Sequence, residues 1–123
     1  MDKEAAINGV LYDRIKKIIN EVVGEEGVEY TLGKFTGDGW LNFHYVCSTY
    51  DGQYPRVSLK QQKAGVHVYI MLWIEGKPIL ENYIDVFGKT AVGKGCLRLK
   101  KLTDEGEVAL REIIQCAVEK NKE

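Results

Sequence analysis

Nine consecutive residues without a charge, Val66-His67-Val68-Tyr69-Ile70-Met71-Leu72-Trp73-Ile74, constrain this chain more than any other stretch. Their β-branched and aromatic content predicts a strand. At period two, Val66, Val68, Ile70, Leu72 and Ile74 point one way, and His67, Tyr69, Met71 and Trp73 point the other. Both faces then need cover or a partner. The aliphatic face is expected to carry helices, and the mixed face to be a second core or a binding surface.

Upstream, Leu11, Ile15, Ile18, Ile19 and Val22 recur at helical spacing, with Asp13, Lys17 and Glu21 as a charged stripe on the other side. This predicts an amphipathic helix that starts within residues 3–9 and closes at Gly24. Val28 to Leu32 alternates as an edge strand or extended arm. Gly37-Asp38-Gly39 breaks the chain before a strand over 40–47, and Asp51-Gly52 is the strongest short hairpin signal. Strict pairing across it would set Phe43 opposite Lys60 and mix core with solvent positions. A bulge or wider loop at Tyr54-Pro55 is therefore expected. Lys63-Ala64-Gly65 reads as a turn with a left-handed glycine, and the central strand follows as the third of a meander.

Past Glu75-Gly76 the period changes. Pro78 opens a short helix with Ile79, Leu80, Tyr83, Ile84 and Phe87 on one face, and Gly88 closes it. Cys96 to Lys100 alternates as a strand with Leu97 and Leu99 inward. Thr103 caps a last helix whose core stripe is Leu110, Ile113, Ile114 and Ala117. The pattern specifies one α+β domain over residues 1–123: a two-layer sandwich, an antiparallel sheet of about five strands with the N- and C-terminal helices on one face.

The 17 basic and 18 acidic groups imply neither nucleic acid nor membrane as a partner. No apolar run is long enough to span a bilayer and the N-terminus is charged, so a cytoplasmic location is expected. Cys47, Cys96 and Cys116 fit no disulfide framework or zinc site and read as reduced thiols. Gly88-Lys89-Thr90 imitates the end of a phosphate-binding loop, but Tyr83 stands where the motif needs glycine and the strand-to-helix order is reversed. Cys96, sharing a face with Arg98, Lys100 and His67, is in a setting that can lower a thiol pKa. No nucleophile, base and orienter are discernible together, so a binding protein is expected rather than an enzyme.

Val66-His67-Val68-Tyr69, a short helix, then Gly88-Lys89-Thr90-Ala91-Val92-Gly93-Lys94-Gly95-Cys96-Leu97-Arg98-Leu99-Lys100-Lys101-Leu102 and an acidic-capped helix together resemble the YdhG-like family. This is a bacterial family of unknown function, and the resemblance covers about residues 65–118. Some of its members are described as frataxin-like iron chaperones. The resemblance therefore implies a frataxin-like α+β sandwich, acidic residues near the first helix for iron, and a sheet surface for partners.

Glu21, Glu25, Glu26 and Glu29 form the densest acidic run, at a helix C-terminus where a cation would relieve the dipole, and are the expected iron ligands. His44 and His67 are expected as neighbours on adjacent strands. On the open sheet face, Trp40, His44, His67, Tyr69, Met71 and Trp73 beside Lys60, Arg98 and Lys100 are expected to form an aromatic patch with a basic rim. Such a surface fits a protein partner or a homodimer. The near-neutral charge and the missing RNA-recognition signature rank nucleic acid below these. A small-molecule pocket between sheet and loops is the remaining alternative.

Overall fold

In the computed structural model, which describes residues 3–32, 35–62 and 65–122, the aliphatic stripes meet as their spacing requires. Helix α1 (Lys3–Val23) buries Leu11, Ile15, Ile18 and Ile19, and helix α3 (Asp104–Asn121) buries Ala109, Leu110, Ile113, Ile114 and Ala117. Gly24 ends α1 at φ +83°, its N–H bonded to the carbonyl of Asn20. Thr103 caps α3 by accepting from the Gly106 N–H at 3.0 Å. Both caps satisfy backbone groups that a helix end leaves unpaired.

The helices cover one face of a five-stranded antiparallel sheet whose strands lie side by side in chain order. Its strands are β1 (Val28–Leu32), β2 (Phe35–Cys47), β3 (Tyr50–Gln62), β4 (Gly65–Ile70) and β7 (Cys96–Leu99). Val57 and Leu59 on β3, Val66, Val68 and Ile70 on β4, and Leu97 and Leu99 on β7 are buried, closing a two-layer core with the helices. Removing several such side chains from water is the main favourable term, about 1.5–3 kcal/mol for each one fully buried.

Four expectations about the strands are corrected. Gly37-Asp38-Gly39 does not break the chain but lies inside β2, paired with β1 and, from Asp38 on, with β3. The β2–β3 hairpin turns at Ser48-Thr49, with Cys47 opposite Tyr50, while Asp51 and Gly52 lie within β3. This register sets Trp40 opposite Val57 and Phe43 opposite Tyr54, so like environments pair; burial outweighs the local turn preference of Asp-Gly. Tyr54-Pro55 accordingly lies in the strand without a bulge, and the ladder is interrupted instead at Leu41, whose φ is +58°.

The nine-residue apolar stretch is not one strand. β4 stops at Ile70, and Trp73-Ile74 (β5) pairs with Lys77-Pro78 (β6) across Glu75 and Gly76 at φ +53° and +81°. Two successive positive φ values make the tight turn that suits a two-residue hairpin. Leu72 stays buried, but Trp73 and Ile74 are 41% and 50% exposed.

Lys63 and Ala64 of the expected turn lie outside the described residues; Gly65 is not left-handed as expected but opens β4 in extended backbone, paired with Gln62. The short helix is a 3-10 turn (Ile79–Tyr83) running into α2 (Ile84–Phe87), with Ile79 and Leu80 buried and Ile84 on the exposed side. Gly88 ends it at φ +96° as expected.

Candidate functional site

The aromatic patch expected on the open face does not assemble. Trp40 is 3% exposed on the helix side, its indole N–H donating to Asn20 Oδ1 at 2.9 Å, because the β2–β3 register places it with Val57 over α1. His44 lies on β2 opposite Gln53 and meets Asp51 at 2.9 Å near the hairpin end. With β3 between β2 and β4, His44 and His67 are not on adjacent strands. Met71 and Trp73 lie beyond the end of β4, and Trp73 belongs to the small hairpin.

The acidic run is dispersed as well. Glu21 is bound to Arg111 of α3 at 3.0 Å, Glu25 and Glu26 are exposed in the connection after α1, and Glu29 is on β1 opposite Asp38. Among the described residues no group of three or more histidine, cysteine, aspartate or glutamate side chains is placed to hold a metal ion.

What the fold does bring together is His67, Arg98 and Lys100. Antiparallel pairing sets Lys60 (β3), His67 (β4) and Arg98 (β7) in one row across the open face, and Ser58, Tyr69 and Cys96 in the next. His67 Nδ1 lies 3.3 Å from the Tyr69 hydroxyl. Burial, and then the neighbouring Arg98 and Lys60 charges, push the His67 pKa below its ordinary value, which favours the neutral imidazole. The Cys96 thiol shifts upward because burial outweighs the nearby Arg98, so it is not the activated thiolate the sequence allowed.

Beside this row opens a cleft of about 440 Å³, between β7, the end of α2, the Thr90-Ala91 segment and the chain from Lys100 to Thr103. Val86, Phe87, Ala91, Leu99 and Leu102 supply its apolar lining, and His67, Arg98, Lys100 and Lys101 its polar lining. The 88–93 segment lies along the outer side of β7, the Arg98 N–H bonding to the Ala91 carbonyl and the Gly93 N–H to that of Cys96. The Arg98 guanidinium donates to the Thr90 carbonyl at 3.3 Å, which fixes it at the rim. Gly65, also in the lining, lets β4 approach β7 closely at the cleft: a Cβ there would lie 2.5 Å from the Leu99 carbonyl oxygen.

Among the described residues no carboxylate lines the cleft, and none forms an ion pair with Arg98, Lys100 or Lys101. Elsewhere several cations are matched: Arg14 pairs with Glu107, Lys16 with Asp38 and Arg111 with Glu21 and Glu107. Lys101 lies just past the alternation of Cys96 to Lys100, so its spacing gave no sign that it shares a site with Arg98 and Lys100. Phe87 and Leu102 reach the cleft only through tertiary packing.

No protein-family model, curated protein or solved structure matches the chain. No helix among the described residues is long and apolar enough to cross a membrane.

Proposed function

We propose that this chain is a ligand-binding domain that takes a small acidic molecule in the cleft beside β7. The observation that carries this reading is the concentration of Arg98, Lys100 and Lys101, without carboxylate partners among the described residues, around one cavity with an apolar wall. Clustered like charges cost stability, and an anion entering between them removes that cost while forming charge-assisted hydrogen bonds. The volume lies within the usual range for small-molecule sites, and an apolar lining with a few convergent polar groups is their usual make-up.

The metal-handling and aromatic-face readings have less behind them, since Glu21 is held by Arg111 and Trp40 is buried under α1. The test is thermal unfolding in the presence of a panel of small acids, neutral molecules and amines. A ligand at a hundred times its Kd adds about 2.7 kcal/mol to the folded state. Acids should raise the melting temperature of the parent but not of Ala91→Trp, which fills the cleft while keeping all three cations. Stabilisation equal in both proteins would place binding elsewhere and end this reading.

A further inference from the structure

We infer that the acidic ligand is an organic phosphate monoester, its phosphoryl group held by Arg98, Lys100 and Lys101 and its organic body against Phe87 and Leu102. The inference rests on the reading of the cleft as a ligand site and adds the chemical class. A carboxylate carries one charge on two oxygens and is satisfied by one forked guanidinium. A phosphate monoester carries about −1.5 to −2 at pH 7 and offers three acceptor oxygens, which suits three cations better than one.

The three side chains leave the chain within four residues, where β7 gives way to the segment before α3. Arg98 uses one terminal nitrogen on Thr90, and its other N–H groups make no further bond among the described residues. Gly65 shares the lining and adds no side chain to it. Among the described residues no carboxylate lines the cleft, which disfavours an amine there. The apolar wall separates this site from a simple anion trap, because inorganic phosphate has no organic body to lie against Phe87 and Leu102. The chain's net charge of −1 makes the basic character local to this cleft, so a single phosphoryl group fits better than a polyanion.

The test is a titration of isotope-labelled protein at fixed ionic strength with phenyl phosphate, inorganic phosphate, benzoate and phenol, following the backbone amides of Gly65, Leu99 and Lys101. Phenyl phosphate should shift these signals with a Kd at least about tenfold below each of the other three, the worth of one charge-assisted contact or one buried ring. Lys101→Ala should weaken phenyl phosphate by about tenfold, and Lys101→Arg should retain it; Lys101 is exposed, so both variants keep the fold. Equal affinity for inorganic phosphate would overturn the organic body. Benzoate binding as tightly as phenyl phosphate would overturn the phosphate assignment and leave the cleft as an acid site. If none of the four probes shifts these amides, the inference and the ligand-site reading fall together.

Discussion

The side-chain oxygen of Asn20 on α1 accepts the indole N–H of Trp40 on β2 at 2.9 Å, and it also accepts the backbone N–H of Gly27 at 3.0 Å. One amide thus ties the first helix, the connection after it and the sheet. The fit is close: a Cβ on Gly27 would come within 2.4 Å of the indole ring. Asn20→Ala removes the acceptor and leaves a buried indole donor unsatisfied, a cost of about 1–3 kcal/mol. Denaturant unfolding of parent and variant measures it, and an unchanged midpoint would show that the bond contributes nothing.

That contact also explains why the sheet was easier to read than its surface. The aliphatic periods of Leu11 to Ile19, Val66 to Ile70 and Leu110 to Ala117 are set by residue identity alone, and they meet in one core. The face of Trp40 is decided by pairing register, which depends on where the β2–β3 hairpin turns. Asp51-Gly52 has the stronger local turn preference, yet turning at Ser48-Thr49 pairs Trp40 with Val57 and buries both. Trp73 was misplaced for a related reason: positive φ at Glu75 is not announced by a glutamate, so the small hairpin that ends the long apolar run was invisible. Of the candidate site, His67, Arg98 and Lys100 shared a face by simple alternation, whereas Lys101, Phe87 and Leu102 join them only through long-range packing.

Gly65 shows a second case of close approach. The Leu99 carbonyl oxygen and the Lys100 Cγ lie 2.5 Å and 3.6 Å from where its Cβ would stand. Gly65→Ala therefore pushes β4 and β7 apart at the cleft, with an expected cost of about 1–3 kcal/mol, the usual penalty for forcing an atom into filled space. Loss of stability accompanied by shifted amide signals at Leu99 and Lys100 is the expected outcome. A variant that melts with the parent would show that the strands have room there.

The environment of His67 gives stability a direction in pH. Burial first, then Arg98 on β7 and Lys60 on β3, lower its pKa in the folded protein, with the Tyr69 hydroxyl as its polar neighbour. Below the ordinary histidine pKa of about 6.5 the unfolded chain takes up a proton that the folded chain resists. Stability from this residue is complete above that pH and is lost as the pH falls towards the lowered value. His67→Gln should therefore flatten the decline that sets in below about pH 6.5 in urea-unfolding series. A decline as steep in the variant as in the parent would remove His67 from the effect.

The most direct check on the cleft is the acetylation rate of each lysine, measured by mass spectrometry with and without saturating phenyl phosphate. Lys100 and Lys101 line the cleft, whereas Lys17, Lys77 and Lys94 are exposed elsewhere and serve as internal controls. Slower modification confined to Lys100 and Lys101 is the expected result. Equal protection of all five, or undiminished rates at Lys100 and Lys101, would contradict a ligand site beside β7.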